Sequence, residues 1–298
     1  MGRKLSQAVL RREVRRMTRL FYARALDISG KLRYNIFREA RMYFDNAGVK
    51  LYYERTGSGA PLLLLHGWGG KADSFLPVTR DFSPVRTVYA VDFPGHGNSP
   101  EPPAPWSVTE YMELIWAFIR RMDISGCDII AHSFGGRVAL LLAAEHPEAV
   151  RRMVLTGCAG LRPRSSGKKS MRTRAYKALR ALADNGLTRR LLGKRVEVWR
   201  EKLVQRFGSA DYKALSKTMR PTFNRIVAQD LRSVLPRIKA STLLIWGTED
   251  RDTPLWMGEV MEKEIPDAAL VRLEGCGHFA YLEKYADFRA IAWKFLIG

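Results

Sequence analysis

The chain has 298 residues, of which 46% are hydrophobic and 27% charged, so disorder is not the default expectation and one large core or two modest domains are expected. Its formal net charge of +20 raises the question of nucleic acid or an anionic membrane as a partner. Cys127, Cys158 and Cys276 lack CxxC spacing, which argues against a disulfide framework and a zinc cluster and favours a reducing compartment.

The N-terminal segment is strongly basic, since residues 1–41 hold 12 Lys/Arg and 3 Asp/Glu. Apolar residues recur there at spacings of four, three and four, which places them on one face of a helix among arginines. This face consists of Leu10, Val14, Met17 and Phe21. We therefore expect a basic amphipathic helical extension over residues 1–42.

Several roles remain open for this extension. It docks on the core as a solvated basic face or forms a flexible arm, it binds an anionic membrane surface, or it binds a protein partner. Nucleic acid is not expected, because no RNA-binding signature with interleaved aromatics is present. The chain has neither a secretory leader nor a run of about 18 apolar residues, so we expect a cytoplasmic protein, peripheral to the membrane if the extension binds lipid.

From about residue 43, short apolar runs alternate with helical patterns. The predicted strands are Met42–Asp45, Val49–Arg55, Leu62–Leu65, Thr87–Val91, Cys127–Ala131, Met153–Thr156, Leu243–Trp246 and Ala269–Leu273. The predicted helices are Val108–Met122, Phe134–His146, Pro254–Ile265 and Phe279–Leu296. Continuous apolar strands suit a sheet covered on both faces. We expect a doubly wound, mostly parallel, eight-stranded α/β sheet that begins with an antiparallel hairpin.

The alternation stops between Gly160 and about Pro236, where the pattern predicts several basic helices. Residues 161–240 hold 22 Lys/Arg against 5 Asp/Glu, whereas the chain outside this segment and residues 1–41 holds 16 against 22. We interpret the segment as a helical cap inserted after a strand. The predicted organisation is an extension (1–42), a core in two parts (43–160 and 236–298) and a cap (161–235).

A candidate nucleophile lies in Ala131-His132-Ser133-Phe134-Gly135-Gly136, between a predicted strand and a predicted helix. A sharp strand-to-helix turn with small flanking residues is the context in which a serine becomes an exposed nucleophile. The competing interpretation is that Ser133 caps the helix. A second motif, His66-Gly67-Trp68-Gly69-Gly70, follows an apolar strand, and its glycines allow backbone N–H groups to face a cleft. An ordinary turn is the alternative there.

A nucleophilic serine requires an imidazole that accepts its proton. Of the five histidines, His66 and His132 lie inside the two motifs, His96 lies in a turn loop and His146 ends a helix before a proline. His278 is the one that remains.

These motifs together resemble the α/β-hydrolase superfamily over roughly residues 43–160 and 236–298. Residues 66–70 are similar to its His-Gly loop, and residues 92–99 to its D-x-x-G-x-G-x-S loop, in which His96 has a structural role. Residues 247–254 resemble its G-x-x-D-x-x-x-P loop, and residues 275–279 its G-x-G-H segment.

The resemblance implies a triad of Ser133 as nucleophile, His278 as base and Asp250 as the acid that orients the base. The family spacing selects Asp250 over Glu249 and Asp252, with Asp252 held in reserve. It also implies an oxyanion hole made by the backbone N–H groups of Trp68 and Phe134. The side chains expected to line the substrate pocket are His66, Trp68, Phe134 and Phe279. The cap offers aromatic residues such as Phe223 for a pocket roof, or for its own packing.

A serine at position 133 favours acyl transfer, so the expected function is a carboxylesterase-like serine hydrolase acting on an ester, thioester or lactone without metal or cofactor. The basic extension and cap favour a small anionic or amphiphilic substrate. Hydrolases that cleave carbon–carbon bonds in ring-cleavage products are the alternative, although they usually carry Trp where Phe279 stands. A non-catalytic ligand-binding or peripheral membrane protein is the alternative from another class.

Overall fold

The computed structural model describes residues 42–162 and 215–298, together with isolated positions between residues 185 and 212. An eight-stranded sheet in the order β1-β2-β4-β3-β5-β6-β7-β8 forms its centre. The strands are β1 Met42–Asn46, β2 Val49–Thr56, β3 Ala60–Leu65, β4 Arg86–Asp92, β5 Cys127–His132, β6 Val150–Thr156, β7 Ser241–Gly247 and β8 Ala268–Leu273. The β1–β2 and β2–β4 pairs are antiparallel and the other five pairs are parallel, which confirms the predicted fold class of the core.

Helices cover both faces of this sheet. They are α1 Leu76–Phe82, α2 Val108–Met122, α3 Phe134–Glu145, α4 Met219–Ala228, α5 Trp256–Glu264, α6 Ala280–Glu283 and α7 Tyr285–Leu296, with 3-10 turns at Ala72–Phe75 and Arg232–Arg237. The sequence pattern did not predict α1, since seven residues are too few to show helical periodicity. The single helix predicted over Phe279–Leu296 is broken at Lys284, whose φ of −123° and ψ of 57° are not helical.

The central strands are apolar on both faces because each face has its own helical layer. Along β3, Leu63 and Leu65 belong to the apolar cluster that contains residues of α2, α3 and α5, whereas Leu62 and Leu64 belong to the cluster that contains residues of α1, α6 and α7. All four side chains are at most 1% exposed. Burial on both faces explains why these strands are continuous apolar runs instead of alternating patterns.

Residues 1–41 lie outside the described residues, so the predicted extension is not described; Met42, assigned to it by the sequence pattern, is the first residue of β1. The described end of the predicted cap consists mainly of α4 and the turn at Arg232–Arg237. The amide of Leu231 donates to the Gly160 carbonyl at 2.9 Å, so the two ends of the predicted insertion meet beside the core. Within the ranges described, no helix combines the length and the apolar character needed to cross a bilayer.

A buried ion cluster connects β5, the strand that leads to Ser133, with β4 and β6. The fully buried Asp128 carboxylate on β5 lies 3.0 Å from the guanidinium of Arg86 on β4 and 2.7 Å from that of Arg151, next to β5 on β6. Arg86 also donates to the Leu296 carbonyl at the end of α7. The Arg86 side chain is only 7% exposed, whereas that of Arg151 is 51% exposed. The cluster therefore joins one buried and one exposed cation to the same carboxylate.

We expect Asp128→Ala to lower the free energy of unfolding by about 3–5 kcal/mol, because it leaves the Arg86 guanidinium charged and buried without its partner. Arg151→Ala is the matched control and should cost about 1 kcal/mol or less, since an ion pair of an exposed guanidinium contributes little and Asp128 keeps its buried partner Arg86. Urea denaturation followed by tryptophan fluorescence measures both values. Equal losses in the two variants would contradict the assigned role of Arg86.

Candidate active site

Ser133 occupies a sharp turn between β5 and α3. Its φ of 50° and ψ of −108° are unfavourable for a residue with a side chain and are retained only where the surroundings fix the backbone. The turn is fixed by Ser133 N–H, which donates to Thr156 O, and by Ser133 O, which accepts from Ala159 N–H. A Cβ atom on Gly135 would lie 2.1 Å from the Leu65 carbonyl oxygen, so this position requires glycine. Although Ser133 precedes the helix, its hydroxyl does not cap it.

The structure brings Ser133, His278 and Asp250 together from the ends of three strands. His278 Nε2 lies 2.9 Å from Ser133 Oγ, and His278 Nδ1 lies 2.8 Å from Asp250 Oδ2. Because an ionised carboxylate only accepts, Nδ1 carries the proton and Nε2 is left to accept the serine proton. The side chains of His278 and Asp250 are 11% and 0% exposed, so bulk water has little access to this pair.

The loop after β7 distinguishes Asp250 from its acidic neighbours. Asp250 Oδ1 accepts hydrogen bonds from the amides of Asp252 and Thr253, both at 2.9 Å, so the loop wraps around this carboxylate. Glu249 and Asp252 are exposed. Asp250, the residue that the sequence pattern selected, lies within hydrogen-bond distance of His278. Its role as the orienting acid stays a prediction.

The two predicted oxyanion donors follow neighbouring strands. Trp68 lies two residues after His66 in the loop that follows β3, and Phe134 comes directly after Ser133, which follows β5; β3 and β5 are paired and parallel. Their indole and phenyl rings are 5.3 Å apart between centroids. Among the described residues, neither amide N–H has a hydrogen-bond acceptor. Both N–H groups thus remain available to a ligand oxygen.

His66 supports the Trp68 loop from behind. Its Nε2 accepts from the Phe93 amide at 3.0 Å, so Nδ1 carries the proton and donates to Gly67 O at 2.8 Å. Burial lowers the pKa of His66 to about 4, against its backbone hydrogen bond to Gly67, so the ring is neutral at pH 7. It is 1% exposed. Although predicted to line the pocket, His66 therefore has both ring nitrogens bound to backbone.

Two further histidines are neutral parts of the scaffold. His132 Nε2 donates to the His278 carbonyl at 3.0 Å, and burial holds the pKa of His132 well below its ordinary value. His96 packs its ring edge-to-face with that of Trp68 at 4.7 Å and stacks on Phe134 at 6.4 Å. Burial, reinforced by the nearby His66 ring, lowers the pKa of His96 to about 3.

Aromatic rings surround the remaining sides of the site. The half-buried Phe279 lies 5.5 Å from the His278 ring, and Phe223 of α4 lies 5.3 Å from Trp68. The α4 helix is held over the core by Arg137, which donates to the carbonyls of Ile226 and Gln229 at 3.0 and 2.8 Å. The described end of the cap therefore contributes an apolar wall beside the predicted oxyanion loop.

Sequence reasoning missed one residue of this site, Thr253. Its hydroxyl lies between Asp250, His278 and Gly157 and is buried. The sequence contains a weak signal, a hydroxyl residue three positions after the predicted acid. Threonine is common in loops, so that signal could not have been separated from a turn residue.

Comparison with known proteins gives a consistent result. The family model described as alpha/beta hydrolase fold matches residues 60–285. The 2-hydroxymuconate semialdehyde hydrolase of Pseudomonas putida is 32% identical over 260 residues, covering 84% of this chain and 92% of that protein. The pimeloyl-[acyl-carrier protein] methyl ester esterase of Chromobacterium violaceum is 25% identical, covering 82% and 97%. The crystal structure of a bacterial membrane phospholipase A superposes with a TM-score of 0.64 at 27% identity, covering 86% and 85%.

We expect the buried neutral His96 to make the protein sensitive to acid. The unfolded chain binds a proton at His96 near pH 6.5 and the folded chain only near pH 3, so stability is present above pH 6.5 and is lost as the pH falls toward 3. In His96→Phe, the free energy of unfolding should fall by about 1 kcal/mol less between pH 6 and pH 5 than in the wild type.

Urea denaturation at pH 8, 6 and 5 provides the measurement. The pH 8 value gives the part of the effect that does not depend on protonation, namely the change in packing and the loss of the hydrogen bond from His96 Nδ1 to the Pro94 carbonyl. If the free energy of unfolding fell equally in His96→Phe and in the wild type between pH 6 and pH 5, His96 would bind its proton in the folded protein as it does in the unfolded chain.

Proposed function

Since the chain belongs to the alpha/beta hydrolase fold family, we propose that it is a serine hydrolase that cleaves a carboxylic ester, thioester or lactone through an acyl-enzyme on Ser133. The observation that carries the proposal is the continuous hydrogen-bond chain from Ser133 Oγ through His278 to Asp250. A weakly nucleophilic hydroxyl becomes reactive when its proton has such an acceptor.

In the proposed mechanism, Ser133 Oγ attacks the substrate carbonyl carbon while its proton passes to His278 Nε2. The Asp250 carboxylate stabilises the imidazolium that forms. The amides of Trp68 and Phe134 donate to the oxyanion, and each such donor contributes about 3–4 kcal/mol in the transition state. His278 then protonates the leaving alcohol or thiol, and a water molecule activated by the same imidazole hydrolyses the acyl-enzyme.

The rings of Trp68, Phe134 and Phe279 support an apolar binding pocket for the acyl or leaving group. Aromatic walls with a few polar groups at the reacting atoms are typical of small-molecule sites. His66 belongs to the same proposal as the residue that shapes the Trp68 loop.

Carbon–carbon bond hydrolysis is the second candidate, and the 32% identity to the Pseudomonas putida semialdehyde hydrolase favours it. The same serine, histidine and aspartate constellation serves both candidates. Phe279 favours ester hydrolysis, because carbon–carbon hydrolases usually carry Trp at this position. The similarity to the Chromobacterium violaceum methyl ester esterase supports the ester as well.

Wild type and Ser133→Ala are compared on a panel of p-nitrophenyl esters and on 2-hydroxymuconate semialdehyde, with a fluorophosphonate probe reporting on the serine. We expect ester turnover that falls by about 10⁴-fold or more in Ser133→Ala, together with loss of labelling, because the nucleophile is removed. Ser83→Ala, which changes a serine at the end of α1, is the control.

Each outcome of this experiment separates two interpretations. Turnover of the semialdehyde but not of the esters would establish the second candidate. Activity and labelling that survive in Ser133→Ala would show that another residue is the nucleophile. A wild type that is inert to every probe would favour a non-catalytic ligand-binding protein.

We further propose that the basic extension attaches the protein to anionic membrane surfaces from the cytoplasmic side. The 12 Lys/Arg of residues 1–41 and their apolar stripe support this, as does the similarity to a membrane phospholipase A. The same positive field favours anionic or amphiphilic substrates. Nucleic acid is not part of the proposal.

Replacing Arg11, Arg15 and Arg19 together by Gln should weaken binding to vesicles that contain phosphatidylserine by about 100-fold, at about 1 kcal/mol per charge. Co-sedimentation at low ionic strength measures the affinity. The control triple replaces Arg121, Lys239 and Arg251, which are exposed on the core. Equal binding by the two triple variants would show that the extension is not the membrane-binding segment. Equal binding to vesicles of pure phosphatidylcholine would show that binding does not depend on lipid charge.

A further inference from the structure

The hydroxyl of Thr253 is the point where three loops of the site meet. Thr253 Oγ1 lies 2.8 Å from Asp250 Oδ2, 2.9 Å from the Gly157 carbonyl oxygen and 3.1 Å from His278 Nδ1. Asp250, Gly157 and His278 belong to the loops after β7, β6 and β8, respectively. Thr253 is 4% exposed, so these protein atoms provide its hydrogen bonds.

The donor and acceptor capacities of these groups decide the direction of the hydrogen bonds. The Gly157 carbonyl and the Asp250 carboxylate can only accept, and the Nδ1 proton of His278 is already directed to Oδ2. The single proton of the Thr253 hydroxyl therefore has two acceptors within reach. The hydroxyl oxygen also lies within hydrogen-bond distance of His278 Nδ1–H. Donation to an ionised carboxylate is stronger than donation to a neutral carbonyl, so Oδ2 is the preferred acceptor.

The two carboxylate oxygens are held differently. Oδ1 accepts from two backbone amides of its own loop, whereas Oδ2 has two side-chain donors, the Thr253 hydroxyl and His278 Nδ1–H. The backbone of Thr253 is fixed as well, because its carbonyl accepts from Trp246 Nε1–H at 2.7 Å. Within the part of the chain that the structure describes, removing the hydroxyl would leave Oδ2 with the His278 contact alone.

We propose that Thr253 is a positioning residue that holds the Asp250 carboxylate in line with His278 by donating its hydroxyl proton to Oδ2. This inference rests on the proposed serine-hydrolase function. The donation also draws negative charge on Oδ2 away from the imidazole.

A pH profile of a Thr253 variant depends on the ionisable groups that lie around His278. Among the described residues, the ring contacts the Asp250 carboxylate and, at 4.7 Å between ring centroids, the imidazole of His132. His132 is neutral because burial lowers its pKa. Glu283 accepts from the amide of Gly277, one residue before His278. None of these groups bonds to the Thr253 hydroxyl except Asp250.

The test compares Thr253→Val, which keeps the branched shape without the hydroxyl, with Thr253→Ser, which keeps the hydroxyl. We expect kcat in Thr253→Val to fall about 3- to 10-fold with KM unchanged, the loss of one net hydrogen bond. The acid limb of the kcat/KM profile should move up by about 0.5 pH unit, because more carboxylate charge then faces Nδ1–H. Thr253→Ser should restore both values.

Thr248→Val is the matched control. The Thr248 hydroxyl belongs to the same loop but bonds to the amide of Gly275 and to Glu274. This variant should leave both kcat and the acid limb unchanged. Urea midpoints of all variants identify any that are poorly folded, and Thr253→Ala replaces Thr253→Val if the valine variant does not fold.

The outcomes keep this inference separate from the proposed function. A wild type without activity removes the function itself. With active wild type, an acid limb that stays in place or moves down in the variant overturns the positioning role, as does failure of Thr253→Ser to restore it. The low-field proton resonance of His278 Nδ1–H, recorded without substrate, supplies an independent readout: it should move in Thr253→Val and not in Thr248→Val.

Discussion

The backbone turn at Ser133 is the constraint on which the rest of the site depends. A positive φ at a serine is maintained because the strand and helix on either side are packed too closely to relax. The carbonyl of Leu65 occupies the space that a side chain at Gly135 would need. The same close approach places the loop after β3, which carries Trp68, beside the start of α3, which carries Phe134. Ser133 and the two residues proposed to supply the oxyanion donors are thus brought close to one another by one packing contact.

Around this turn, neutral histidines perform a structural task. His66 and His132 each bind backbone groups of a neighbouring loop, and His96 packs on the rings that flank the proposed oxyanion hole. Burial lowers the pKa of each, so they contribute directed hydrogen bonds or flat surfaces without charge. His278 differs in its partners, since it alone of these rings contacts a carboxylate and a hydroxyl.

The sequence was sufficient for the sheet and for selecting Ser133, His278 and Asp250, three residues from different loops that the structure brings together. Apolar runs such as β3 are unambiguous because both of their faces are buried, and the glycine-rich loops occur directly after such strands. Thr253 and α1 could not be predicted in the same way. The hydroxyl of Thr253 acts through contacts with residues 96 positions before and 25 after it. The α1 helix is too short to carry a period of its own. Both are decided by tertiary structure.

The meeting of Leu231 with Gly160 has a consequence for how such a chain diversifies. Because the segment between them leaves and re-enters the core at hydrogen-bonded neighbours, its length is decoupled from the geometry of the sheet, and lengthening it costs little loop-closure entropy. Arg137, one helical turn beyond Ser133, donates hydrogen bonds to two carbonyls at the C-terminal end of this segment. A change in the length of this segment can therefore leave the packing of the core around Ser133 unaltered.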